Sequence, residues 1–316
     1  MEKFEHFKND CVKSDNIRSD GVKVDSNVRV DSNVRVDCGE IVEFIKSLNE
    51  SVRDKKVTDF HQLLANINSS EIKNLNIVLR IYLILEKVEK YFQFHDPKNF
   101  TNCRFGNKAF STLIHQLQSE IDDIFVEFGM VITDENLYNK AKKHFLNSFG
   151  NATRLDFGTG NELEFVYFLR ALYLSNLLTE SHFPALSLLT LNKYFEVCRE
   201  VIERYTLEPA GTKGAWGIDD YQFLPFILGS SQLINSSLNP KHCLDVEFLV
   251  KYKQDYLFMR AMEYKINMIR GVSLEMASPM ICNILTSCAW EKINYGLFQL
   301  YINDVQRLNE KKIVTQ

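Results

Sequence analysis

Ile41, Phe44, Ile45, Leu48 and Val52 recur at i, i+3, i+4, i+7 and i+11. That spacing places all five on one face of a helix. The stretch NIVLRIYLILEKVEKYF follows, apolar nearly all round from Ile77 to Phe92, and this pattern predicts a central core helix. The same reading predicts helices over 108–128, 135–148, 162–178, 186–205, 220–234, 246–268 and 290–305. Strand-like alternation is scarce after residue 39. The pattern predicts an all-α protein.

The first 39 residues read differently. VKVDSN, VRVDSN and VRVDCG follow one another from Val22 to Gly39. Their alternation would suit a strand and their period a solenoid, but three units without large side chains bury no core. Composition predicts a low-complexity, disordered leader over 1–39 ahead of a helical domain over 40–316.

Charge and cysteine usage narrow the class. A formal net charge of -4 gives no general pull toward nucleic acid or an anionic membrane. Charges interrupt every apolar run before about 18 residues, so no membrane span is expected. The start, MEKFEHFKND, lacks the apolar segment of a secretory signal. Seven scattered cysteines without a CxxC pair fit reduced thiols, and the expected location is the cytoplasm or nucleus.

Glycine concentrates in two stretches that carry candidate chemistry. The first is RLDFGTGNELEF, residues 154–165. Its DFG triplet is not a kinase signature, because no HRD loop exists and the preceding chain is helical. Nor does the chain contain a GxxxxGK[ST] loop. Two readings stay open. Thr159 and Glu162 match a capping box, with Asp156 favouring the helix dipole. Alternatively the N–H groups after the glycines hold an anion, with Arg154 adding a charge-assisted contact. The second stretch is LEPAGTKGAWGIDDYQFLPFILGSSQLI, residues 207–234. Asp219-Asp220 beside loop carbonyls offers hard oxygen ligands suited to Mg²⁺, or an N-cap for the helix that follows. Pro225 in that helix implies a kink or a short first turn. The histidines show no HxxxH spacing, and His61, His115, His144 and His182 read as structural or solvated.

Taken together these stretches resemble the phosphotyrosyl phosphatase activator family, the activators of protein phosphatase 2A. LEPAGTKGAWGIDDYQFLPFILGSSQLI resembles its signature, RLDFGTGNELEF a second motif, RFGNKAF at 104–110 a third, and EIVEFIKSLNESVRDKK at 40–56 its N-terminal helix. The resemblance implies core, linker and lid subdomains around a deep pocket that takes ATP with Mg²⁺. It also implies docking on a phosphatase 2A-type catalytic subunit, and peptidyl-prolyl cis–trans isomerase activity on proline-containing segments, with no catalytic residue indicated. By motif position the nucleotide contacts fall on Arg154, Thr159 and Gly160, and the metal-side contacts on Gly214 and Asp220. The chain departs from the family pattern in three places. Asn161 stands where a His is usual, GVSLEMASPM at 271–280 replaces a GPFAEHSP-like stretch, and the sequence ends at IVTQ ahead of a QHFxFG-like tail.

Overall fold

The five apolar positions between Ile41 and Val52 are all buried, and they lie on helix α1 (Ser32–Ser51) or, for Val52, directly after it. The computed structural model of the chain describes residues 32–65, 67, 71–100, 105–211 and 217–314. The repeats before residue 32, and the loop 212–216 that holds Gly214 and Trp216, lie outside the described residues. Helix α1 reaches back past Glu40 to Ser32, as extending an existing helix gains a hydrogen bond for each residue fixed.

The other main helices are α2 (Ile77–Tyr91), α3 (Ala109–Glu127), α4 (Glu135–Asn147), α5 (Thr159–Leu174) and α6 (Leu191–Tyr205). They are followed by α7 (Leu224–Gln232), α8 (Val246–Tyr252), α9 (Leu257–Met268), α10 (Pro279–Ser287) and α11 (Trp290–Val314). The protein is all-α. Among the described residues its one sheet is a parallel pair, β1 (Asp156–Phe157) on β2 (Glu208–Pro209). Phenylalanines dominate the centre, and Phe165 stacks on Tyr194 with ring centroids 3.9 Å apart. Among the described residues no helix is long and apolar enough to cross a membrane.

Three of the predicted runs show how the fold modifies the periodic pattern. The run over 186–205 contains a π-helical turn, Leu186–Thr190, before α6. The run over 246–268 breaks into α8 and α9, where the Gln232 side chain accepts the Leu257 N–H at 2.9 Å and caps the second piece. The run over 220–234 contracts to α7. Pro225 sits in its first turn, where no intrahelical donor is needed, so it starts the helix instead of kinking it.

Helix α7 is the hub, packing against α1, α9 and α11. Its GSSQ segment makes the joints. A Cβ on Gly229 would lie 2.1 Å from the Phe258 backbone nitrogen, so only glycine lets α9 come this close. Ser231 Oγ donates to Asn49 O at 2.6 Å, and Asn294 Nδ2 donates to Ile227 O at 2.8 Å and to Ser230 Oγ at 3.0 Å. Asn49 Nδ2 donates in turn to Asn294 Oδ1, so α1, α7 and α11 share one buried polar network. Gln232 Nε2 reaches Lys55 O and Asp255 O. Gly229→Ala is expected to destabilise the protein by about 1–3 kcal/mol through overpacking, read as a lowered urea midpoint at unchanged slope. An unchanged midpoint would show that the α7–α9 crossing relaxes freely.

Candidate functional site

Asn151 sets up the first glycine-rich stretch. Its Oδ1 accepts the N–H groups of Thr153 and Arg154 at 3.0 and 2.8 Å, which folds the chain into a tight turn. Leu155 completes the reversal with a left-handed φ of 55°. Arg154 therefore stands near the tip, with its side chain 63% exposed, and its guanidinium spans both oxygens of Asp156 at 2.7 and 3.2 Å. After β1, Gly158 passes so close to the second stretch that an added Cβ would lie 3.0 Å from both Ala210 Cβ and Ala210 O.

Helix α5 then begins at Thr159, three residues earlier than its apolar pattern suggests. The capping box expected between Thr159 and Glu162 does not form. Gly158 is the N-cap, and Asn161 Oδ1 accepts its N–H at 3.1 Å while Asn161 Nδ2 donates to Asn147 O at 2.8 Å. Asp156 is engaged by Arg154 rather than by the helix end. Thr159 and Gly160, in the first turn, have N–H groups with no acceptor inside the helix, and both residues are half-buried. The start of α5 is thus an ordered frame with two backbone donors that the helix itself does not use.

Glu162 is 0% exposed and turns inward to the second stretch. Both its oxygens lie 3.0–3.1 Å from the backbone nitrogens of Phe223 and Leu224, the N-cap and first residue of α7. The carboxyl caps a helix other than its own. Around it stand Arg199, whose Nε donates to Gln222 Oε1 at 2.9 Å and whose guanidinium lies 5.0 Å from the Tyr264 ring centre, and the Asp219–Lys265 pair at 3.7 Å. Burial lowers the Arg199 pKa and pushes the Cys198 thiol up. Asp219 Oδ1 accepts the N–H groups of Tyr221 and Gln222, both at 2.9 Å. It caps this turn, not α7.

The two stretches therefore meet twice. At one end β1 pairs with β2, with Ala210 N–H donating to Phe157 O at 2.8 Å. At the other, Glu162 grips the start of α7. The connecting segment, with Asp220 half-buried on it, runs between these two joints. Arg154, Thr159 and Gly160 share one turn and helix start, whereas Gly214 lies outside the described residues. Among the described residues no group of three or more His, Cys, Asp or Glu is placed to share a metal ion. The burial of Glu162 and Arg199 escapes a motif-by-motif reading. Arg199 was visible as a charge four residues after Phe195 and three before Ile202, on the apolar face of its helix.

Burial pushes the Glu162 carboxyl up to about 8, against the two backbone donors and Arg199, which pull it down. An unfolded glutamate titrates near ~4.3. Between those values the folded protein keeps a proton that the unfolded chain has lost, so stability falls as pH rises through the window. In urea unfolding from pH 5 to 8, the wild type is expected to lose up to roughly 1.4 kcal/mol per pH unit relative to Glu162→Gln. Parallel profiles would show that Glu162 is ionised throughout.

The chain matches the family described as phosphotyrosyl phosphate activator (PTPA) protein over residues 35–316. It is 34% identical over 266 residues to serine/threonine-protein phosphatase 2A activator 2 of Schizosaccharomyces pombe, covering 84% of this chain and 72% of that protein. To the serine/threonine-protein phosphatase 2A activator of Drosophila melanogaster it is 31% identical over 269 residues, covering 84% of this chain and 64% of the relative. Its fold is similar to the crystal structure of the PP2A phosphatase activator Ypa1 PTPA1, with a TM-score of 0.66 and 26% identity, over 86% of this chain and 81% of that one. A family match across nearly the whole described chain, with relatives above 30% identity, settles the assignment: the chain belongs to the phosphotyrosyl phosphatase activator family.

Proposed function

We propose that the protein activates a phosphatase 2A-type serine/threonine phosphatase catalytic subunit, using ATP and Mg²⁺ held where the two glycine-rich stretches meet. The observation that supports this most is the double joint, β1 on β2 and Glu162 on α7. It ties the segment that carries Asp220, at both of its ends, to the strand and helix that flank Thr159 and Gly160. The chemistry of the residues fits a nucleotide. Helix N-terminal N–H groups suit phosphate oxygens. Magnesium carried on phosphates takes one or two protein carboxylates and several waters instead of an all-protein cage, and Asp220 supplies a carboxylate. Arg154 would add a contact to phosphate by exchanging Asp156 for it, and Gly214 would add a backbone carbonyl. Bound there, the nucleotide and its metal would supply concentrated charge at the surface offered to the phosphatase.

Peptidyl-prolyl isomerase activity belongs to the same proposal. Rotation about an X-Pro bond has a barrier of about 18–20 kcal/mol because amide resonance is lost in the twisted state. Apolar surroundings that desolvate the amide lower it without a nucleophile. The apolar residues around Trp216–Phe226 would supply such surroundings. The proposed setting is the cytoplasm or nucleus.

One observation favours a second reading. The Arg154 guanidinium is already paired with Asp156, which would suit a non-catalytic assembly chaperone whose loops serve only as caps. Reactivation of a metal-stripped phosphatase 2A catalytic subunit with ATP and Mg²⁺ separates the two. Asp220→Ala is expected to lower the ATP-dependent reactivation rate about tenfold or more, given roughly 1.5–3 kcal/mol for a lost contact to a charged group. Equal rates for variant and wild type would remove Asp220 from the metal side. Absence of any calorimetric ATP signal at millimolar concentration would favour the chaperone.

A further inference from the structure

Glu162 grips α7, yet it also stands near the start of α5, the helix whose leading N–H groups are proposed for phosphate. Thr159 and Gly160 precede it by three and two residues. At the rise of an α-helix the axial separation is only about 3–5 Å. The carboxyl is fully buried, and its hydrogen bonds come from the backbone N–H groups of Phe223 and Leu224. Among the described residues no cation bonds it directly. Arg199 gives its Nε to Gln222 and faces the Tyr264 ring, while Lys265 pairs with Asp219. The titratable groups that face Glu162 are Tyr194, Cys198 and Arg199 from α6, Asp219 from the turn before α7, and Tyr301 from α11. The Tyr301 ring lies 5.4 Å from that of Phe223, and its hydroxyl is buried without a hydrogen-bond partner among the described residues.

Such a carboxyl has two states of nearly equal merit. Ionised, it is a buried anion without a bonded counter-charge, whereas neutral it escapes that penalty. Burial and Asp219 favour the neutral form, and the two backbone donors with Arg199 favour the ionised one. The balance falls at about 8, so a modest charge placed nearby tips it. An anion at the first turn of α5 is such a charge. Its oxygens would sit about 3 Å beyond the Thr159 and Gly160 nitrogens, within roughly 10 Å of the carboxyl and with protein between. Salt screens a buried pair much less than an exposed one. The repulsion disfavours ionised Glu162, so a bound anion raises its affinity for a proton. By reciprocity the proton raises the affinity for the anion.

We infer that nucleotide binding at the start of α5 is coupled to protonation of Glu162, so that the protein takes up a proton together with its ligand. The coupling rests on the nucleotide site proposed at Thr159 and Gly160. The test is isothermal titration calorimetry on the full chain with ATP and Mg²⁺ at pH 8, in Tris and in HEPES, whose heats of protonation differ. Magnesium-bound ATP keeps a net negative charge and ionised phosphates at this pH, so a proton drawn from the buffer goes to the protein. The wild type is expected to take up as much as about half a proton per ATP at pH 8, where Glu162 is half protonated. At pH 6 it is expected to take up none, because Glu162 already holds its proton. Wild-type affinity is expected to fall roughly three- to tenfold from pH 7 to 9 as that proton is lost. Glu162→Gln keeps an acceptor for the two N–H groups and is expected to show no uptake at pH 8 and a flat affinity profile. Should that variant not fold, the contrast between pH 8 and pH 6 in the wild type decides. No saturable ATP heat from the wild type would remove the nucleotide site and the coupling with it. Saturable binding without uptake at pH 8, undiminished uptake at pH 6, or uptake that persists in Glu162→Gln would overturn the coupling and leave the site standing.

Discussion

A carboxyl group in the interior must find donors or give up its charge, and Glu162 does something of both. Its oxygens bracket the two leading N–H groups of α7, and burial raises its affinity for a proton. One end of the contact lies in α5 and the other sixty-one residues on, so the second glycine-rich stretch cannot leave the first without stranding a carboxyl and two backbone donors. The positions of Asp219, Asp220 and Gln222 relative to the start of α5 follow from this joint together with the β1–β2 pair.

The consequences spread outward. With Glu162 directed at α7, the cap of α5 passes to Asn161, whose neutral amide serves two masters: Oδ1 for the Gly158 N–H and Nδ2 for Asn147 O. A neutral amide suits this task, since it presents an acceptor and a donor at once and does not change with pH near neutrality. The N–H groups of Thr159 and Gly160 are held in place by this arrangement without being consumed by it. Order at the start of α5 therefore does not use up these donors.

The long second motif has two jobs that its sequence does not separate. Its first half, up to Gln222, forms the turn and the buried charges beside the start of α5. Its second half, GSSQ, is architectural. Gly229 admits the backbone of α9, the two serines tie α7 to α1 and α11, and Gln232 caps α9. Polar residues this deeply buried are tolerated because each finds a partner. They also specify register between helices more sharply than apolar contact would, since a slip would leave several polar groups unsatisfied at once.

Helical period made the all-α class legible, because a face buried against a core writes itself into the spacing of Ile41 to Val52 and of every later helix. Turn chemistry made the glycine-rich stretches visible as sites where the backbone needs special geometry. Direction was not legible. Thr159-x-x-Glu162 satisfies a local capping rule, yet Glu162 serves a helix far along the chain, since two backbone donors in the interior outweigh one near the surface. The break at Tyr252–Leu257 and the place of Pro225 in a first turn likewise depend on neighbours that local spacing does not name. Local periodicity decides which faces are buried, whereas tertiary packing decides what each buried polar group must answer to.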